Sequence, residues 1–332
     1  MTMQFGLFGG ARTKRAIGLE DSLGYDSFID YVVEADRLGF RHMFLVEHHF
    51  TGHGQVSASL TLLAYLAAKT RNIRLGTAVV VLPWHNPVLI AEQAATLDLL
   101  TGGRFDFGIG KGYRKAEFDG FCIPIEEATE RFDEAIEIIR KLFTGKEVKH
   151  AGRWYQLEST RLWTLPAALP PIYVATAGPI TAKKTGELCD GIITVGAADE
   201  KIQTVFEKFA EGAKSAGKDP TAMPKILQLH LSWAPTDAEA LSNALREWPN
   251  GGMKFPKQDI RNPADFQQMA KLVRPEDFAG RMLISSDLVA HQKAIQRYLD
   301  MGFDKIYLHN VGRNQVEWAE AFGREVLPGL TA

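Results

Sequence analysis

Residues 72–110 read NIRLGTAVVVLPWHNPVLIAEQAATLDLLTGGRFDFGIG, and this stretch decides the fold. An apolar, β-branched run is followed by VLIAEQAATLDLLTGG, whose apolar residues recur at helical spacing. Pro87 opens that helix, where its missing N–H costs nothing, and a glycine pair closes it. RFDFGIG then returns as a strand, so the stretch predicts a parallel strand–helix–strand crossover. The alternation continues to both sides. Upstream, MQFGLFG from Met3 and RHMFLVEHHF from Arg41 predict strands, with SFIDYVVEADRLGF between them a helix ending on Gly39. SASLTLLAYLAAKT predicts a buried helix. Downstream, PIYVATAG, GIITVG, ILQLHLSWA and KIYLHNVG predict four more strands. EEATERFDEAIEIIRKLFTG, ITAKKTGEL, TVFEKFAEGAKSAG and VEWAEAFGREVL predict helices. Eight evenly spaced units favour a closed (β/α)8 barrel of the α/β class over an open doubly wound sheet. Lacking a Pro/Gly/Ser linker, residues 1–332 read as one domain, with a surface excursion at 146–170. The polar stretch 248–282 reads as an insertion after the seventh strand, with a lid as its expected role.

The totals narrow the function. A formal net charge of -2 gives no case for nucleic acid or an anionic membrane surface. The two cysteines, Cys122 and Cys189, cannot build a disulfide framework, which fits a reducing compartment. The N-terminus has no long apolar core of a secretory signal, and a cytoplasmic protein is expected.

Barrel enzymes carry their chemistry where strands end. Glu47-His48-His49 follows the apolar run Met43–Val46, and three ionisable groups there are costly unless paired or used. If the strand continues that far, alternation keeps the two histidines from both facing the barrel axis. His48 is the expected acid/base, since an imidazole near pKa ~6.5 exchanges protons at neutral pH. Trp84 and His85, just beyond the third strand, are expected to line a substrate pocket with Phe118; turn geometry is the alternative reading of this Pro- and Asn-rich segment. Gly108–Tyr113, GIGKGY, lacks the spacing of a Walker A loop. A long loop, not a helix, is expected after it, which argues against a dinucleotide fingerprint. What remains is a close-approach loop carrying the cation Lys111. Ala175–Thr181 runs from strand into helix and leaves N–H groups for a phosphate, and Arg131 could reach the same region.

Taken together, Val46–Thr51, Leu75–Pro83, Gly103–Tyr113 and the closing Leu327-Pro328 resemble the bacterial luciferase-like family of flavin-dependent monooxygenases. The resemblance implies a TIM barrel binding reduced FMN at the C-terminal strand ends, with His48 the active-site histidine beside Glu47. It implies a non-proline cis peptide at Ala78-Val79 supporting the isoalloxazine ring, with Gly110 and Tyr113 among the cofactor-binding residues. Lys111 and Arg131 fall where phosphate-binding cations are expected, and Thr176-Ala177-Gly178 where the cradle lies. The luciferases' reactive cysteine is Gly110 here, so light emission is not expected. Ala175–Pro179 and Leu308–Gln315 are also similar to the deazaflavin branch, which transfers hydride and does not activate oxygen.

The main expectation is thus a monooxygenase using FMN, O2 and a separate flavin reductase on a small molecule. The alternative is hydride transfer with coenzyme F420. A second alternative is a metal-dependent barrel hydrolase built on Glu47, His48, His49 and His85. The family resemblance further implies a homodimer through the early helices.

Overall fold

The computed structural model describes residues 4–10, 24–50, 56–254, 260 and 263–331. Twelve strands appear in chain order: β1 (Gln4–Gly9), β2 (His42–Leu45), β3 (Arg74–Thr77), β4 (Val80–Val81), β5 (Phe105–Gly110) and β6 (Val148–Ala151) are followed by β7 (Gln156–Thr160), β8 (Ile172–Ala175), β9 (Gly191–Val195), β10 (Lys225–Ser232), β11 (Leu283–Ile284) and β12 (Lys305–Asn310). Parallel pairing runs β1, β2, β3, β5, β8, β9, β10, β12 and back to β1. The ring closes, and the protein is a (β/α)8 barrel.

The helices between strands are α1 (Gly24–Leu38), α2 (Ser59–Lys69), α3 (Pro87–Thr101), α4 (Lys115–Gly120), α5 (Ala128–Phe143) and α6 (Pro179–Leu188), then α7 (Asp199–Ser215), α8 (Asp237–Glu247), α9 (Pro263–Ala270), α10 (Leu288–Asp300) and α11 (Gln315–Ala321). At α3, Asn86 caps the N–H groups of Val88 and Leu89 while Pro87 occupies the first turn, as its sequence predicts. The largest core cluster contains the outward side chains of several barrel strands and the apolar faces of the helices. A second cluster fills the barrel itself with Phe8, Phe44, Tyr173, Ile193, Ile226 and Tyr307. Burying each such side chain contributes about 1.5–3 kcal/mol.

The inward positions follow the period of two. On β2 they are His42 and Phe44, then Val46 and His48 beyond the strand end. At the floor His42 and Asp106 meet at 3.0 Å, and Arg74 reaches the other Asp106 oxygen at 2.7 Å. At the mouth, Val46, Ala78 and Ala175 pack above the aromatic layer.

Four details depart from the sequence expectation. The third strand is two pieces, β3 and β4, on either side of the Ala78-Val79 bond, which is cis as the resemblance implied. The short helix α4 stands where a long loop was expected. The excursion at 146–170 holds an antiparallel hairpin, β6–β7. Between the seventh and eighth barrel strands the chain also forms α8, α9, β11 and α10. Of the expected lid, residues 255–259 and 261–262 lie outside the described residues.

Candidate active site

Beyond β2 the chain stays extended long enough for its alternation to sort three ionisable side chains. His48 faces the mouth with 21% of its side chain exposed, while Glu47 turns into the wall at 2%. Glu47 is a hub. Its Oε1 accepts from His49 Nε2 at 2.8 Å, Trp84 Nε1 at 2.9 Å and His85 Nε2 at 2.9 Å. Its Oε2 accepts the Val81 N–H at 3.0 Å. Burial pushes this carboxyl up, but the hydrogen bonds from His49, His85 and Trp84 outweigh it and hold it at about 2. The anion is locked in place, with its lone pairs aimed at N–H groups of its own wall.

His48 has a partner that sequence reasoning missed. Its Nδ1 lies 3.0 Å from Oε1 of Glu117, and the same oxygen accepts the His49 backbone N–H at 3.0 Å. Glu117 is 3% exposed in its side chain and sits on α4. A carboxylate on Nδ1 takes the Nδ1–H and leaves the Nε2 lone pair as the base. The only signal in the sequence was an acidic residue one turn beyond the GIGKGY loop.

Around this pair lies an aromatic wall. Trp84 stacks on Phe121 at 5.2 Å and 22°, and meets Phe118 edge-on at 5.0 Å. Phe118 is fully buried, so it supports Trp84 from behind and does not itself line an opening. Tyr113 is 60% exposed at the rim, with the Arg114 guanidinium over its ring. The β6–β7 hairpin reaches this side as well. Glu134 of α5 accepts from the Tyr155 N–H at 2.9 Å, and Tyr155 Oη contacts the His85 carbonyl at 3.5 Å.

The opposite wall is small. Ala78, Gly110 and Ala175 hold the inward positions there, and a Cβ on Gly110 would fall 2.5 Å from Val79 Cγ2. A side chain at Gly110 would thus meet a valine methyl. Towards the helices, Lys111 Nζ donates to Thr129 Oγ1 at 3.2 Å. Arg131 is bound to Glu127 at 2.9 Å and lies over Trp154 at 4.3 Å. The Gly178 N–H donates to Thr176 Oγ1 at 3.1 Å, and α6 has no side-chain cap. Lys184 of α6 pairs with Asp133 of α5, each the sixth residue of its helix, so the two helix N-termini rise together beside this wall. Ala177 lies in the turn that leads into α6.

The hydrolase alternative meets a chemical obstacle. The Glu47 carboxylate is spent on N–H donors, and among the described residues no group of three or more His, Cys, Asp or Glu side chains is disposed to hold a metal ion.

The family model described as luciferase-like monooxygenase matches residues 3–305. The chain belongs to that family. This luciferase-like protein is 29% identical over 322 residues to the F420-dependent glucose-6-phosphate dehydrogenase of Microbacterium testaceum, covering 93% of this chain and 95% of that one. The equivalent enzyme of Kineococcus radiotolerans is 30% identical over 313 residues, covering 91% and 92%. Among solved structures, an F420-dependent secondary alcohol dehydrogenase in complex with an F420-acetone adduct superposes with a TM-score of 0.84 over 100% of both chains, at 23% identity. That likeness supports the fold.

These relatives correct the main expectation. Enzymes similar over more than nine-tenths of the luciferase-like chain are named for F420, not for FMN and oxygen. The monooxygenase reading falls, and so does the flavin reductase tied to it. The expected class, an oxidoreductase, stands. Among the described residues no helix is long and apolar enough to cross a membrane.

Proposed function

We propose that this chain is an F420-dependent dehydrogenase acting on a hydroxyl-bearing small molecule. The observation that carries the reading is the naming of relatives that match both chains nearly end to end. The site supports it, because the residues present suit such a cofactor. Gly110 admits Val79 by lacking a Cβ, and the Ala78-Val79 wall this leaves is a short apolar surface on which a flat ring could lie. Lys111, the uncapped start of α6 and Thr176-Ala177-Gly178 would take its phosphate end, with Arg131 a second cation behind. Coenzyme F420 supplies a two-electron hydride acceptor when bound.

The chain's own part is to orient and to handle the proton. In the dehydrogenase direction the substrate carbon gives up hydride, its hydroxyl proton passes to His48 Nε2, and a carbonyl product results. Glu117 holds Nδ1 and stabilises the imidazolium that forms. Glu47 keeps Trp84 and His85 in place as the wall against which substrate lies, and Tyr113 shields the rim. Of the expected lid, the described residues 248–254 and 263–282 belong to one domain with the barrel and cover this mouth in this reading. The assembly is a cytoplasmic homodimer through α2 and α3, supported by the exposed Tyr65, Leu89 and Leu100 on those helices.

The test is parallel titration with F420 and FMN. F420 is expected to bind in the micromolar range and to lose its visible absorbance when an alcohol substrate is added. Tighter binding of FMN, with oxygen uptake and no change in F420, would overturn the reading.

A further inference from the structure

The wall of Ala78, Val79 and Gly110 rests on a join between strands that the chemistry above does not use. β3 pairs with β5 at Leu75↔Phe105 and Gly76↔Asp106, and pairing resumes between β4 and β5 at Val80↔Ile109 and Val81↔Gly110. Three residues, Thr77, Ala78 and Val79, therefore face two, Phe107 and Gly108. The ladder slips by one residue, as at a β-bulge. After the slip it is Val81 that shares the inward row with Gly110, while Val80 joins the core outside the barrel.

One side chain fastens the slip. Thr77 is fully buried. Its Oγ1 donates to the Gly108 carbonyl at 2.6 Å and accepts the Gly108 N–H at 3.0 Å. These two backbone groups face β3, because the Phe107 N–H turns the other way, to the Pro171 carbonyl beside β8. Gly108 has no room for a side chain, since a Cβ would lie 1.7 Å from the Thr77 carbonyl oxygen. Thr77 thus presses on Gly108 with its carbonyl and clasps it with its hydroxyl. The rest of the slipped segment is anchored elsewhere. The Ala78 N–H donates to the Leu45 carbonyl at 2.7 Å, and the Val81 N–H to Glu47 at 3.0 Å.

We infer that Thr77 is a positioning residue for the cofactor. Through Gly108 it fixes where Ala78 and Val79 stand relative to Gly110, and so the surface against which the ring lies. The inference rests on the F420 reading and adds a residue to it. Thr77 is sealed from the mouth and acts through the wall, not by contact. A hydroxyl suits this place because it donates and accepts at once, and the β-branch restricts its rotamer. Valine keeps the shape but leaves both Gly108 groups without that partner. Cysteine offers a weak donor and a weak acceptor, and serine keeps both bonds on a freer side chain.

The experiment titrates the purified chain with F420 and records thermal melting, for the wild type and for Thr77→Ser, Thr77→Cys and Thr77→Val. The folded Val variant is expected to bind F420 about tenfold more weakly, the Cys variant to fall between, and the Ser variant to stay within about threefold of the wild type. The KM of an alcohol substrate at saturating F420 should move less than the F420 Kd, because Trp84 and His85 hang on Glu47 and not on Thr77. A merely structural role would lower the melting temperature and leave the Kd of the folded chain where it was. Unchanged F420 affinity in a folded Val variant, or a Ser variant as weak as Val, would overturn the inference. Should the Val variant not fold, Cys against Ser decides, and equal affinity of those two would overturn it. If neither Val nor Cys folds, the hydroxyl serves the barrel alone and the inference falls. A wild-type chain that binds no F420 instead overturns the cofactor reading on which this one stands, so the two failures are told apart.

Discussion

His48 and Glu117 are joined at 3.0 Å although 69 positions separate them, and the same carboxylate oxygen also fastens the backbone of His49. One acidic side chain therefore sets both the tautomer of the proposed base and the path of the segment that carries it. Replacing Glu117 with Gln should lower turnover about a hundredfold, within the usual range for acid–base groups, while F420 affinity stays nearly unchanged. Steady-state F420 reduction beside a binding titration checks this. Equal turnover in the variant would remove His48–Glu117 from the chemistry.

Glu47 makes a stability prediction instead. Glu47→Gln removes the charge that three side-chain N–H groups and one backbone N–H converge on. The expected loss is about 3 kcal/mol, typical of unpairing a buried ionic group. Urea unfolding at neutral pH measures it. A variant as stable as the wild type would mean that the hub relaxes without cost.

Acid sensitivity follows with a definite sign. Burial pulls His42 and His291 below the usual 6.5, so the unfolded chain takes up their protons first. Glu47 and Asp106, normally at 4.5 and 3.8, are held near about 2 in the fold because hydrogen bonds outweigh burial. Unfolded chains bind more protons than folded ones throughout this range, so stability is full at neutral pH. It should begin to fall near pH 6.5 and fall steeply between about 4.5 and 2. Urea midpoints that stay flat from neutral pH down to pH 3 would contradict the assignment.

Gly110→Ala should destabilise by about 1–3 kcal/mol, since its Cβ would press on Val79 Cγ2. The double variant with Val79→Ala should recover most of that loss, because the obstructing methyl is gone. Denaturant midpoints of the two variants give the answer, and additive losses would show that the clash lies elsewhere.

Lys111→Ala should weaken F420 about tenfold, the scale of one charge-assisted contact. Arg131→Ala should cost less, because Glu127 already neutralises that guanidinium and Trp154 takes its face. The order of the two affinities decides. A larger loss at Arg131 would reverse the assignment of the phosphate cation.

The barrel was legible because long amphipathic helices and short apolar strands impose different periods, and eight repeats of that contrast leave few alternatives. His48 was legible because a strand end is a fixed place in such a barrel. Glu117 was not, since α4 spans only Lys115–Gly120, too short for helical periodicity to emerge. Nor was the role of Glu47, whose four donors come from two separate segments, His49 and the turn Val81–His85. The β6–β7 hairpin was hidden for a related reason, as Glu134 on α5 gathers its turn by backbone N–H groups that carry no sequence signature. The choice of cofactor was misjudged because Ala78, Val79, Gly110 and Lys111 would meet either ring system through the same small surfaces and the same cation.

The Glu47 hub also bears on how this scaffold can change. His49, Trp84 and His85 answer to one carboxylate, so altering any of them disturbs the other two, and the trio behaves as a single heritable block. Phe50, Tyr113 and Phe121 reach the same mouth without a bond to that anion. Drift in substrate preference, or a directed-evolution library seeking it, has its open ground in those three rings.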